Sequence, residues 1–315
     1  MIEPVRWGVL GAGWLVQQAT AAAIHDAPGA QLYATGARDL ERALRTQPQV
    51  AYDSYLAVIE DPRVEAVYVC LANDAHFHWI EASIEAGKHV LCEKPLVLSA
   101  ADAARAFALA DQAGVHLVEA TWTRWHPRMR RIVELAASGA LGRIDHFRSS
   151  FTFQGVEEGN YRLYPQHGGG AAYDVGIYPL HALVACLPQV EQFDLLDVSK
   201  VLGGAGVDMT TEATLCWGEA TRALITGSFI LPPSQDLVIR GETDEIRVVD
   251  GEAFTSWRTA STLLVGDRVE RFEPVDAYAV MFAAMSDRIR GGDGWVLPAR
   301  DSLRVAQIVD GLQVA

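Results

Sequence analysis

Lysine is scarce in this chain. Of its 26 basic residues only Lys88, Lys94 and Lys200 are lysine, and arginine supplies the rest. Basic charge as a whole is in deficit, with 40 acidic residues and a formal net charge of −14. That balance argues against sequence-independent binding to nucleic acid, which needs cations against phosphates, and against docking on an anionic membrane surface. Only four cysteines are present (Cys70, Cys92, Cys186, Cys216), with no Cys-x-x-Cys pair. A disulfide framework or a structural zinc site is not expected. No metal site is expected from the histidines either, because His25, His116 and His126 have no ligand spacing. Long apolar runs are missing, so no bilayer-spanning helix is expected. The first residues enter a strand without signal-peptide organisation, which makes the cytoplasm the expected location. What remains is ordinary for a globular protein: 50% hydrophobic and 21% charged residues in a length that usually divides into two domains.

The first part of the chain alternates strands and helices. Strands are expected at 4–10, 30–36, 66–71, 89–92 and 115–119. Helices are expected at 14–25, 40–46, 76–86 and 99–113. This order predicts parallel βαβ units in a doubly wound α/β sheet. The unbroken run Val67-Tyr68-Val69-Cys70-Leu71 suits a central strand covered on both faces. After about residue 120 the pattern changes. A helix at 126–138 and a long strand at 143–153 lead into a strand-rich stretch from 193 to 273, with turn signals at Gly203-Gly204 and Trp217-Gly218-Glu219. Asp250-Gly251, between Ile246–Val249 and Ala253–Thr255, reads as a hairpin. The expected architecture is an α/β domain over 1–120 and an α+β domain over 121–299 with a large, mainly antiparallel open sheet. The terminal helix 300–315 is expected to pack back on the first domain.

Gly11-Ala12-Gly13-Trp14-Leu15-Val16 follows the first strand and opens the first helix. Gly11 permits a tight turn and Gly13 a close approach to a pyrophosphate, while the helix N-terminus favours the anion. Val16 stands where a third glycine is usual, which implies looser helix–strand packing. An ordinary strand–turn–helix also uses glycine, but placement in the first of several βαβ units favours a dinucleotide. A carboxylate for ribose hydroxyls is expected at the end of the second strand. Ala37 and Arg38 stand there, and Asp39 reads as a helix cap. Arg38 suits a 2′-phosphate, so NADP is expected ahead of NAD. The alternative for Arg38 is a solvated arginine at a helix start.

Four further runs, in this order, resemble the glucose–fructose oxidoreductase/inositol dehydrogenase (Gfo/Idh/MocA) family. They are Ala72-Asn73-Asp74-Ala75-His76, Ala86-Gly87-Lys88-His89-Val90, Glu93-Lys94-Pro95, and Gly168-Gly169-Gly170-Ala171-Ala172-Tyr173-Asp174-Val175-Gly176-Ile177-Tyr178. Ala72 departs from the family's proline. Tyr178, Glu119–Pro127 and Asn160-Tyr161-Arg162 are similar to the branch holding dimeric dihydrodiol dehydrogenase and NADP-dependent D-xylose dehydrogenase. The resemblance implies a Rossmann domain followed by a substrate domain, and NADP-dependent oxidoreduction of a sugar, polyol or diol. It places Gly11, Gly13, Trp14, Leu15, Arg38, Leu71, Asn73, His76, Glu93 and Lys94 at the cofactor. Trp122, Arg124, Phe151, Arg162, Asp174 and Tyr178 fall at the substrate. It also implies a homodimer through the open sheet, whose apolar face would otherwise invite aggregation. A nicotinamide-sensing regulator and an NAD-dependent glycosidase share the scaffold. Retention of Lys94, Asp174 and Tyr178 favours catalysis.

Hydride chemistry on an alcohol or carbonyl also moves a proton on oxygen. Asp174, Tyr178 and His181 share one face if their stretch is helical. A tyrosine titrates near 10, and lowering that by about three units takes roughly 4 kcal/mol. An ammonium about 4 Å away at an effective dielectric near 20 supplies on the order of that. Lys94 beside Tyr178 is a sufficient pair, with Asp174 orienting the substrate or Lys94. The blander alternatives are a core tyrosine at 178 and a helix-capping Asp174. Glu93 is open to two roles, orienting Lys94 or touching the cofactor. The Lys94–Pro95 bond is a candidate for the cis form.

Overall fold

The computed structural model describes residues 3–248 and 251–315. They form two compact units: Met1–Val97 with Ala101–Trp122 and Asp276–Ala299, and Leu98–Ala100 with Thr123–Val275 and Arg300–Ala315. No helix among the described residues is long and apolar enough to cross a membrane.

The first unit holds β1 (Val5–Leu10), β2 (Ala30–Gly36), β3 (Val50–Tyr52), β4 (Ala66–Val69), β5 (His89–Cys92) and β6 (Leu117–Glu119). They pair in parallel in the order β3-β2-β1-β4-β5-β6. Every residue of β4 is buried, as its continuous apolar run requires. The chain order reverses between β1 and β4, the point where a crevice opens beyond the strand ends of such sheets. The third strand and the helix Tyr55–Glu60 after it were not expected from the sequence.

Two helices fall differently from expectation. The helix Ala277–Ile289 belongs to the first unit: Trp7 Nε1 donates to Ser286 Oγ at 3.0 Å, and Phe282 meets the rings of Trp7 and Tyr68 edge-on at 5.2 Å. The terminal helix Ala299–Val314 groups with the second unit instead of the first. Its Asp310 accepts from the Ala100 N–H at 2.9 Å and its Asp301 pairs with Arg124.

A histidine pair sits at the start of β5. His89 and His116 stack at 5.2 Å, and the His116 N–H donates to His89 Nδ1 at 3.0 Å. Burial, with the positive neighbours His116 and Arg290 outweighing Glu65, holds the His89 imidazole neutral down to about 4. An unfolded histidine takes up its proton near 6.5. The stabilisation is therefore complete above about 6.5 and is lost as pH falls from there towards 4. Denaturant midpoints measured from neutral pH to pH 4.5 should fall more steeply for the wild type than for His89→Gln. Equal slopes would remove His89 as a cause.

The second unit carries β7 (Ile144–Thr152), β8 (Asp194–Leu202), β9 (Asp208–Cys216), β10 (Arg222–Ser228), β11 (Ser234–Gly241), β12 (Glu245–Arg247), β13 (Ser261–Val265) and β14 (Arg268–Phe272). Their order is β14-β13-β12-β11-β7-β10-β9-β8. All neighbours run antiparallel except β7 and β10, which are parallel. The turn expected at Asp250-Gly251 includes Val249 and Asp250, which lie outside the described residues. Its second arm, Ala253–Thr255, is not a strand, and β12 pairs with β13 instead.

The helix Ile177–Cys186 is buried at every position, so it can be apolar all round. Gly227 of β10 lets its start come close: a Cβ there would lie 2.9 Å from the Gly176 nitrogen. Across the sheet one register row reads Thr214, Leu224, Arg148, Val238, Arg247. Leu224 is 41% exposed and Arg148 is exposed. The face carrying this row is a mixture of charge and apolar surface, not the apolar face expected.

Candidate active site

The glycine turn follows β1. Gly11 has φ +102°, and a Cβ there would lie 2.4 Å from the Cys70 carbonyl oxygen, so only glycine fits between the ends of β1 and β4. A Cβ at Gly13 would meet nothing within 4 Å, leaving its backbone open to an approaching group. Gln17 Nε2 donates to the Ala12 carbonyl at 2.7 Å and braces the turn. Val16 is fully buried, so its position is filled rather than loose, and the helix there widens into a π turn over Val16–Thr20. Trp14 beside the turn is 76% exposed.

At the end of β2, Asp39 caps the helix Leu40–Leu44 by accepting from the Glu41 N–H at 2.9 Å. Arg38 is exposed. The cap expected of Asp39 is present, and the Arg38 side chain lies in solvent.

Beyond β5 runs Glu93-Lys94-Pro95, with the Lys94–Pro95 bond cis. Three buried contacts hold it. Tyr68 donates its hydroxyl to Glu93 Oε1 at 2.6 Å, His76 Nδ1 lies 2.8 Å from the Pro95 oxygen, and the Leu96 N–H donates to Glu119 Oε1 at 3.1 Å. His76 Nε2 also faces the Leu71 oxygen at 3.2 Å, joining the ends of β4 and β5. His76 is therefore a brace between two loops, and burial lowers its affinity for a proton. Burial pushes the Glu93 carboxyl up to about 7, against the Tyr68 hydrogen bond and the Lys94 charge, which favour the anion. Leu71 is half-buried and Asn73 buried at the end of β4. Trp122 is 3% exposed and packs against Tyr278 with ring centres 5.8 Å apart.

In the second unit the structure joins residues distant in sequence. Arg162 Nε donates to Asp174 Oδ2 at 2.6 Å, and its guanidinium lies over the Tyr161 ring at 4.9 Å. Burial works against the Arg162 charge, but Asp174, with Tyr161 and Tyr178, outweighs it and holds the proton more firmly than usual. The Tyr178 ring lies 5.5 Å from Phe151 and 5.8 Å from Phe254, and those two stack 5.8 Å apart. Asp174 and Tyr178 are 6% and 8% exposed. They occupy one helical run, a π turn over Ala172–Gly176 continuing into Ile177–Cys186.

The triple glycine explains this placement. A Cβ on Gly169 would lie 2.5 Å from the Arg162 oxygen, and one on Gly170, whose φ is +120°, would lie 2.0 Å from Asp208 Oδ1. Asp208 Oδ2 accepts from the Ala172 N–H at 2.8 Å and from the Thr211 hydroxyl at 2.6 Å, capping the helix that carries Asp174 and Tyr178. Burial pushes the Asp208 carboxyl up, opposed by those hydrogen bonds. Sequence reasoning missed Asp208, Phe254 and the Tyr68–Glu93 bond. The Asp208 signal was an acid opening a strand opposite a glycine run. Nothing local marks Phe254. Arg124 has its guanidinium in a buried ion pair with Asp301 (Nη2–Oδ2 2.9 Å, both 6% exposed). That pair leaves it outside the substrate group argued for below. Among the described residues no group of three His, Cys, Asp or Glu side chains is placed to hold a metal ion.

A doubly wound parallel sheet with a tight glycine turn after its first strand, followed by a mainly antiparallel unit, is the build of an NAD(P)-dependent oxidoreductase. The chain belongs to the Gfo/Idh/MocA family of that class. Residues 5–121 match its "Oxidoreductase family, NAD-binding Rossmann fold" and residues 129–247 its C-terminal domain. D-xylose 1-dehydrogenase (NADP(+)) 2 of Haloferax volcanii is 31% identical over 323 residues, covering 98% of this chain and 96% of the relative. Trans-1,2-dihydrobenzene-1,2-diol dehydrogenase of Mus musculus is 34% identical over 181 residues, covering 56% and 55%. Among solved structures, KijD10, a 3-ketoreductase from Actinomadura kijaniata in complex with NADP and TDP-benzene, shares the fold with a TM-score of 0.90. It is 28% identical, with 99% of this chain and 98% of that chain covered. The two dehydrogenases carry the names of the branch expected from Tyr178 and its neighbours.

Proposed function

We propose that the chain is a cytoplasmic, NADP-dependent oxidoreductase that exchanges a hydride between nicotinamide and a hydroxyl-bearing carbon of a sugar, polyol or diol. The observation that carries this is Tyr178 packed against both Phe151 and Phe254 beside the Arg162–Asp174 pair. Flat aromatic faces suit the C–H side of a hydroxylated ring, and charged groups suit its hydroxyls. Because Arg162 is already neutralised by Asp174, the site favours an uncharged substrate over an anionic one.

The residues fit the cofactor: Gly13 leaves open the side a Cβ would fill, and Arg38 keeps its guanidinium in solvent. Gly11, Gly13, Trp14 and Leu15 would hold the pyrophosphate, and Arg38 the 2′-phosphate. Leu71, Asn73, His76, Glu93 and Lys94 would border the rest. When bound, nicotinamide supplies the hydride acceptor or donor. On the substrate alcohol, the O–H proton passes to the Tyr178 oxygen. Lys94 lowers the affinity of that oxygen for its proton and binds the substrate oxygen, while Asp174 orients a hydroxyl. Trp122 borders the substrate in the same scheme. The relatives named for xylose and for a dihydrodiol support the substrate class. A second copy of the chain would bind through the open sheet, along the row in which Leu224 and Val238 flank Arg148.

Arg38→Ala should raise KM for NADP about tenfold, one charge-assisted contact's worth of affinity, and leave KM for NAD unchanged. Initial rates across a panel of sugars and diols with both cofactors, read by absorbance of the reduced nicotinamide, test both halves. Equal losses with both cofactors would contradict the assignment of Arg38. No turnover across the whole panel would contradict the substrate class.

A further inference from the structure

Asp174 poses an electrostatic problem for Tyr178. The two side chains are nearly buried on consecutive turns of one helical run. A carboxylate so close opposes formation of a phenolate, because like charges in a poorly solvated site raise the pH at which the second one ionises. Yet the proton role given to Tyr178 above needs the phenolate to be accessible.

Arg162 answers it. Its Nε is within 2.6 Å of Asp174 Oδ2, and the Tyr161 ring under its guanidinium fixes the plane of the fork. Backbone geometry fixes the other end. The Gly170 N–H donates to the Arg162 oxygen at 3.0 Å, the Arg162 N–H donates to Asn160 Oδ1 at 3.1 Å, and the Asp174 N–H donates to the Gly170 oxygen at 3.1 Å. Arg162 and Asp174 are thus tied through Gly170 by main chain as well as by charge. We propose that Arg162 is a positioning residue that neutralises Asp174, so that this carboxylate can orient a substrate hydroxyl without suppressing ionisation of Tyr178.

The other groups around Tyr178 stay constant while Arg162 and Asp174 are varied. Phe151 from β7 and Phe254 are uncharged, and β10 presents Gly227 to the helix start. His181 lies further along the same helix, and Asp208 from β9 is occupied by the Ala172 N–H and Thr211. The helix Pro127–Ala137 brings Arg128, whose guanidinium is held by the Glu252 and Ala253 carbonyls and Ser256 Oγ near Phe254. Arg128 is the same in every variant below. Lys94 adds the second cation in the proposed site.

The test is ionisation of Tyr178 in the folded protein, read as ultraviolet phenolate absorbance by difference against Tyr178→Phe, alongside the pH profile of kcat. Arg162→Met should shift the ionisation upward by about one pH unit. Arg162→Lys, which keeps the charge, should move it by only a few tenths. Adding Asp174→Asn to Arg162→Met should bring it back towards the wild-type value. Asp174→Asn alone should shift it downward, and this arm carries the test if Arg162→Met fails to fold. An unmoved ionisation in Arg162→Met, an upward shift that Asp174→Asn does not reverse, or an unmoved ionisation in Asp174→Asn would each overturn the proposal. The spectroscopic reading needs no substrate. Retained turnover in Tyr178→Phe with the shifts intact would instead remove Tyr178 from the chemistry and leave the charge balance standing.

Discussion

Tyr178→Phe should lower kcat by about 10²–10⁴, the range in which a positioned proton-transfer group contributes. The substitution removes one oxygen and keeps the ring. The packing of that ring against Phe151 and Phe254, with centres at 5.5 and 5.8 Å, survives, so thermal stability should change little. NADP affinity should also hold, because the glycine turn, Arg38 and the Glu93–Pro95 loop all belong to the other unit. The discriminating pattern is a collapse in kcat with unchanged cofactor binding by fluorescence titration and an unchanged melting curve. Turnover above about a tenth of wild type would show that another group moves the proton, and Lys94 would then be the first to test.

Local patterns announce what local chemistry fixes. The glycine turn was legible because Gly11 must be glycine at φ +102°, and Glu93-Lys94-Pro95 because three unlike residues follow a buried strand. The pairing of Arg162 with Asp174 was half legible: both residues were marked, but neither spacing nor composition says that they bond to each other. β3 is three half-buried residues, and the helix after it is six residues long. Neither offers enough periods to rise above loop. The exchange of the two late helices between units was not legible, because both are amphipathic and only tertiary partners decide. Ser286 finds Trp7, 279 positions earlier in the chain. Phe254 sits in an irregular segment whose role depends on Tyr178 being opposite.

The same limit applies to the triple glycine, which looked like a family mark and is a steric requirement. Gly170→Ala should destabilise the second unit by about 3 kcal/mol. The sum combines left-handed strain on a residue with a side chain, loss of a helix cap and displacement of a buried carboxylate. The added methyl would meet Asp208 Oδ1 at 2.0 Å, and Asp208 cannot move away without releasing the Ala172 N–H and Thr211. Because that cap begins the helical run bearing Asp174 and Tyr178, turnover should fall together with the melting temperature, by several degrees for a unit of this size. Gly13→Ala provides the contrast. Its methyl would enter open space, so melting in the absence of cofactor should stay at the wild-type value while NADP affinity drops. One substitution type at two glycines then separates a residue that shapes the protein from one that makes room for a ligand. If Gly170→Ala melted like wild type, Asp208 would have another way to cap the helix, and the glycine run would need a different explanation. If Gly13→Ala bound NADP normally, the space beside Gly13 would not be where the pyrophosphate lies.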